Sequence, residues 1–74
     1  MKPNEIKAAR ARLGYNQRDV AIRLGIPAST YSAKENGRVE FSTEQKIALA
    51  EIFNWTLKQL NENLFDGKLP IESK

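Results

Sequence analysis

Apolar residues recur along this chain with helical spacing, broken at intervals by Gly, Pro, Asn and hydroxyl residues. The pattern predicts five helices, at about 3–13, 17–24, 28–36, 43–53 and 57–64. In the first, Pro3 sits where a helix tolerates proline, and Ile6, Ala9 and Leu13 form a stripe at i, i+3 and i+7. Gly14 ends it. In the second, Asn16 caps the start with Asp19 as a looser capping-box partner, and Val20, Ala21 and Leu24 share one face. The fourth opens at Ser42 or Thr43 with Gln45 completing a capping box. It runs almost continuously apolar through Ile47, Ala48, Leu49, Ala50, Ile52 and Phe53, as expected of a helix buried on most sides. The fifth starts from Thr56 and Gln59, with Trp55 and Leu60 at the spacing of a hydrophobic staple, and Leu57, Leu60, Leu64 and Phe65 line one side. Between helices three and four, Val39 and Phe41 flank Glu40 in an extended connection and are expected to face the core. The chain reads as one domain over 1–66 with a C-terminal tail over 67–74, ordered only if Leu69 and Ile71 find a groove.

The second and third helices are joined by Gly25-Ile26-Pro27. Gly suits the left-handed residue that ends a helix, and Pro27 cannot continue that helix but has its φ set for the first turn of the next. Two short helices joined by three residues containing Gly describe a helix-turn-helix. Gln17 opening a helix, Ala21, Leu24-Gly25, a hydroxyl-rich second helix and then Glu35-Asn36-Gly37 resemble the Cro and repressor family of phage and bacterial regulators. The resemblance covers about Ile6 to Leu64. It implies an all-α fold, a compact five-helix domain of the phage repressor DNA-binding type.

Composition narrows the chemistry. The chain has no cysteine and no histidine, so disulfides, thiolate sites, cysteine nucleophiles and histidine general bases are excluded. An enzyme is not expected, nor a cofactor, a bound metal or a small-molecule substrate. No apolar run approaches the roughly 20 residues of a membrane span. A cytoplasmic protein with no membrane partner is the expectation. At 74 residues the core is small, and a domain of this size often gains stability by dimerising.

Charge is unevenly placed. Residues 1–38 carry eight Lys and Arg against three Asp and Glu, a net of +5, and residues 39–74 carry four against six, a net of −2. The helix-turn-helix half is therefore the basic half, which points to a polyanion as its partner.

Arg10 shares the side of the first helix that carries the apolar stripe, so it needs a partner. Glu35 is the candidate, and the family's matching pair forms a partly buried ion pair. Double-stranded DNA is the partner that the resemblance implies. It assigns phosphate contact to Gln17 and the N–H groups at the start of helix two, next to Asn16, where unpaired N–H groups and the positive dipole end favour an anion; Arg18 and Arg23 lie on the outward side of that helix, either solvated or near a phosphate. An ordinary first-turn residue remains the other reading of Gln17. Thr30 on helix three, and Asn36 and Arg38 in the loop after it, extend the phosphate contact, with a capping turn and a solvated Arg as the other reading of that loop, and Glu40 should end it. Tyr31 falls where the family places a core residue, with its hydroxyl reaching the edge. Lys34 stands where a large apolar residue is common, and its stem is expected to cover the core while its ammonium reaches water.

The outward residues of helix three are Ala28, Ser29, Ser32 and Ala33, and the resemblance assigns base contact chiefly to Ala28, Ser29 and Ala33, with Ser32 beside them. None is Arg, Lys, Asn or Gln, the side chains that make bidentate bonds to bases. Either DNA shape and phosphate geometry supply specificity, or this surface meets a protein. The leading expectation is a sequence-specific transcriptional regulator, Cro- or repressor-like, that binds duplex DNA as a homodimer. The alternative is an antirepressor that binds another helix-turn-helix repressor and occludes its DNA surface. Leu57, Leu60, Leu64 and Phe65 are the candidate dimer contact, with plain core burial as the equal alternative.

Overall fold

A computed structural model describes residues 1–68. Five α-helices follow one another: α1 (Pro3–Arg12), α2 (Gln17–Leu24), α3 (Ala28–Glu35), α4 (Thr43–Phe53) and α5 (Leu57–Leu64). Among the described residues there is no strand. The fold is all-α. α2 packs against both α3 and α4, α1 packs against α3, and α5 packs against α4. The N–H of Lys2 donates to the Asn63 carbonyl at 2.8 Å, tying the start of α1 to the end of α5.

Local chemistry accounts for the helix boundaries. Asn16 and Asp19 form a full capping box, each side chain accepting from the other's backbone N–H, at 2.8 and 2.9 Å. Ser42 with Gln45 and Thr56 with Gln59 do the same for α4 and α5. Each cap satisfies two N–H groups that a helix start would leave unpaired. Gly25 ends α2 at φ 75°, a left-handed conformation that costs glycine nothing. Asn54 takes the same role after α4 at φ 60°, the residue type that best tolerates it after glycine. Pro27 precedes the third helix rather than entering it: its ψ of 150° is extended, and α3 begins at Ala28.

The core comprises Ile6, Ala9, Val20, Ala21, Tyr31, Phe41, Leu49, Ala50, Phe53, Leu60 and Leu64. Every helix contributes to it. Each fully buried large side chain stabilises the fold by about 1.5–3 kcal/mol relative to leaving it in water. Tyr31 and Phe41 meet with ring centroids 5.9 Å apart, and Phe53 and Trp55 at 5.2 Å, both tilted.

Three expectations are corrected here. α1 stops at Arg12, so Leu13 is its C-cap rather than part of the stripe and is 43% exposed. Gly14 turns the chain immediately afterwards, before that side chain can follow the helix surface inward. Of the pair flanking Glu40, Phe41 is buried but Val39 is 49% exposed. The backbone N–H groups of Arg38 and Val39 both point back to the Ala33 carbonyl, at 3.0 and 3.4 Å, so this stretch is a turn and not an alternating strand. Third, the Tyr31 hydroxyl does not reach an edge: the whole residue is buried. The tail beyond Lys68, including Leu69 and Ile71, lies outside the described residues.

Candidate nucleic-acid interface

α2 and α3 present one side to solvent. On α3, Tyr31 and Glu35 are buried, four positions apart and so on one face. Ser29 is exposed, and Ala28, Thr30, Ser32 and Ala33 are partly exposed. Ala28 also packs against the core. Lys34 bends away, with its ammonium donating to the Glu40 carbonyl at 2.9 Å and lying 5.9 Å from the Phe41 ring centre. Its stem covers the core and its charge is held at the α3–α4 loop.

Asn36 is exposed, but its amide donates to the Ser32 carbonyl at 2.9 Å and approaches the Ser32 hydroxyl at 3.5 Å. The amide thus folds back onto the last turn of α3, adding a second donor to a carbonyl that already accepts the Asn36 backbone N–H at 3.0 Å. Arg38 is exposed, and its backbone is fixed to α3 through the Ala33 carbonyl.

On α2, Arg18 is exposed and Gln17 and Asp19 are half-buried. Asn16 is exposed with its side-chain oxygen committed to the cap. Arg23 folds along its own helix: it donates to the Asp19 carbonyl at 3.0 Å and its guanidinium carbon lies 4.1 Å from the Tyr15 ring centre. Of the two arginines on this helix, Arg18 therefore has its charge available for a ligand, and Arg23 is held by its neighbours.

Behind this surface lies a polar cluster centred on Glu35. Arg10 Nε donates to Glu35 Oε2 at 2.7 Å, and Arg10 Nη2 to Oε1 at 3.3 Å. The Gln17 amide donates to Oε1 at 2.7 Å and the Tyr31 hydroxyl to Oε2 at 2.9 Å. Arg10 Nη1 also donates to the Tyr15 carbonyl at 3.1 Å, which fixes the chain entering α2. Burial opposes the charge on Glu35. The hydrogen bonds from Arg10, Gln17 and Tyr31 outweigh it and hold the carboxyl below its ordinary pKa. The same bond holds Arg10 more firmly protonated. Burial, and then the bond to Glu35, push the Tyr31 hydroxyl up.

The sequence pairs Arg10 with Glu35, as the structure does, but it does not place the Tyr31 hydroxyl on the same carboxylate. Tyr31 and Glu35 sit at i and i+4 on one helix, so their contact follows from helical geometry. The link from Gln17 to Glu35 spans 18 positions and two helices, and no local signal in the sequence marks it.

The candidate dimer contact divides between its two readings, core burial and open surface. Leu60 and Leu64 are buried in the chain's own core and offer no surface to another molecule. Phe65 is half-buried beneath Lys46, whose ammonium is 4.7 Å from its ring centre. Leu57 remains, 63% exposed. It borders a cavity of about 410 Å³ between α4 and α5, lined also by Ile47, Ala50, Trp55 and Leu60. One helix of eight residues cannot turn all its apolar side chains to a partner when it must also close a small core.

Among the described residues, no group of acidic side chains is arranged to hold a metal, and no helix is long and apolar enough to cross a membrane. Five short helices, a capped α2, a left-handed glycine and an α3 with an open outer side define a helix-turn-helix domain. The helix-turn-helix family profile matches residues 6–60, most of the chain. The chain belongs to that family, of the Cro/repressor (XRE-like) type, whose domains are DNA-binding and regulatory rather than typically enzymatic. No curated protein and no solved structure matches the chain significantly.

Proposed function

We propose that this protein is a sequence-specific transcriptional regulator of the Cro or repressor kind, acting in the cytoplasm as one arm of a genetic switch such as that of a temperate phage. It would lay α3 in the major groove of duplex DNA. The observation that supports this reading is the family match over residues 6–60, and beside it the exposure of Arg18 at the start of α2 and of Arg38 just after α3, the segments that precede and follow the outer residues of α3 in the chain. A negative backbone on each side of a groove is met by such flanking cations. Asn16, Gln17, Thr30 and Asn36 would complete the phosphate contacts, and Ala28, Ser29, Ser32 and Ala33 would face the bases. A homodimer would span two half-sites about 34 Å apart, one helical turn. Selection from random duplexes with the purified protein tests this. Enrichment of a palindromic site supports it, and failure to enrich any sequence counts against it.

One observation favours a second reading, an antirepressor that pairs with another helix-turn-helix regulator. The outer side of α3 carries two methyls and small hydroxyls, and the one amide within reach, Asn36, is bonded back to Ser32. Small side chains permit close approach of another protein and give little hold on base edges. A mobility shift with a candidate repressor separates the two. Release of that repressor from its DNA favours the antirepressor, and a shift produced by this protein alone favours the regulator.

A further inference from the structure

The Glu35 carboxylate is buried at the C-terminal end of α3, where the helix dipole is negative. For stability alone an apolar residue of similar volume serves as well there, because desolvating a charge offsets most of what its partners return. A carboxylate adds a fixed acceptor. One of its four donors is Gln17, the first residue of α2, which is half-buried and reaches the surface where that helix begins. A glutamine side chain has three rotatable bonds, and an unheld one loses that freedom each time it meets a ligand. The 2.7 Å bond to an ionised oxygen is of the short, charge-assisted kind. It engages one of the two N–H groups of the Gln17 amide and leaves the other.

We propose that Glu35 is a positioning residue for DNA-backbone contact: it holds one N–H of the Gln17 amide so that the second is aimed at a phosphate oxygen. The proposal rests on the DNA-binding reading above. The same carboxylate also holds Arg10, which fixes the Tyr15 carbonyl just before α2, and it ends the helix whose Ala33 carbonyl anchors Arg38. The start of α2, from which Gln17 projects, is thereby fixed to the same buried point before DNA arrives.

The test uses the full chain, labelled with nitrogen-15, and a short duplex of mixed sequence at low salt. In the free protein, one Gln17 side-chain amide proton is expected well downfield of its partner. On adding duplex, that proton stays and the other moves. Affinity supplies a second readout. Gln17→Met keeps the packing but removes both N–H groups and should weaken binding roughly tenfold. Glu35→Gln should weaken binding in the natural background and add nothing further in the Gln17→Met background, although it lowers thermal stability in both. A merely structural Glu35 would give the stability loss without that dependence. Binding that leaves both Gln17 protons unmoved, or that abolishes the downfield shift, overturns the proposal, as do additive losses of affinity. The proton measurement needs no substitution, so it decides the matter even if Glu35→Gln does not fold. If the wild type binds no duplex at low salt, the DNA-binding reading falls and the proposal with it.

Discussion

Arg10 on α1 and Glu35 on α3 stand 25 positions apart in the chain and meet through a 2.7 Å bond, with Glu35 wholly buried and Arg10 keeping a fifth of its side chain in water. Removing one member strands the other. Arg10→Met should destabilise the domain by about 3 kcal/mol, the lower end of the range for a broken buried pair because Arg10 is partly solvated. Urea unfolding measures it. A loss below half of that would show that water enters and replaces the guanidinium.

Acid should act through the same pair. The folded carboxyl of Glu35 lies below its ordinary value of 4.5. As pH falls through that value the unfolded chain takes up a proton that the folded chain refuses, so stability declines until the lower folded pKa is passed. Above the ordinary value the contribution is complete. Melting temperature against pH, compared between the wild type and Glu35→Gln, should show the acid-side fall attenuated in the variant. Parallel curves would place the acid sensitivity elsewhere.

Tyr31→Phe removes a single donor and leaves the ring in place. The carboxylate then keeps three of its four hydrogen bonds, and the loss should be about 1–3 kcal/mol. The Glu35 carboxyl should titrate at higher pH in this variant, because one of the bonds that favour its ionised form is gone. Side-chain carbon NMR of Glu35 follows that titration directly.

Two of the exposed arginines of the basic half, Arg23 and Arg38, should behave differently. Arg38→Ala is expected to weaken binding to every duplex and to reduce the slope of log affinity against log salt by about 0.9, the release of one counterion. Arg23→Ala should leave the slope unchanged, since its guanidinium is held by Tyr15 and the Asp19 carbonyl. Fluorescence anisotropy over a salt series distinguishes them, and an Arg38→Ala slope equal to that of the wild type would remove Arg38 from the interface.

Two leucines of α5 separate assembly from folding. Leu60→Ala opens a cavity in the core and should cost about 2–5 kcal/mol. Leu57→Lys changes an exposed position and should leave stability nearly as it was while weakening any self-association through this helix. Sedimentation alongside thermal melting reads both. A Leu57→Lys protein with undiminished self-association would move the dimer contact to another face.

Much of this protein follows from its residue order alone, because the relevant forces act over a few positions. The caps at Asn16, Ser42 and Thr56, the stop at Gly25, and the sharing of one face by Tyr31 and Glu35 are consequences of helical geometry and nearby hydrogen bonding. The turn between α2 and α3, and the basic half that contains it, were legible for the same reason. Tertiary structure decided matters that depend on which surfaces meet. It placed Leu60 and Leu64 inside and left Leu57 outside, although all three lie on one short helix. It drew the Tyr31 hydroxyl inward, turned Val39 out, and folded Arg23 and Asn36 back on their own helices. It brought Gln17 to Glu35 across two helices. Periodicity tells which side of a helix is apolar, but the width of the side that is covered, and which polar groups are caught behind it, depend on how neighbouring helices cross.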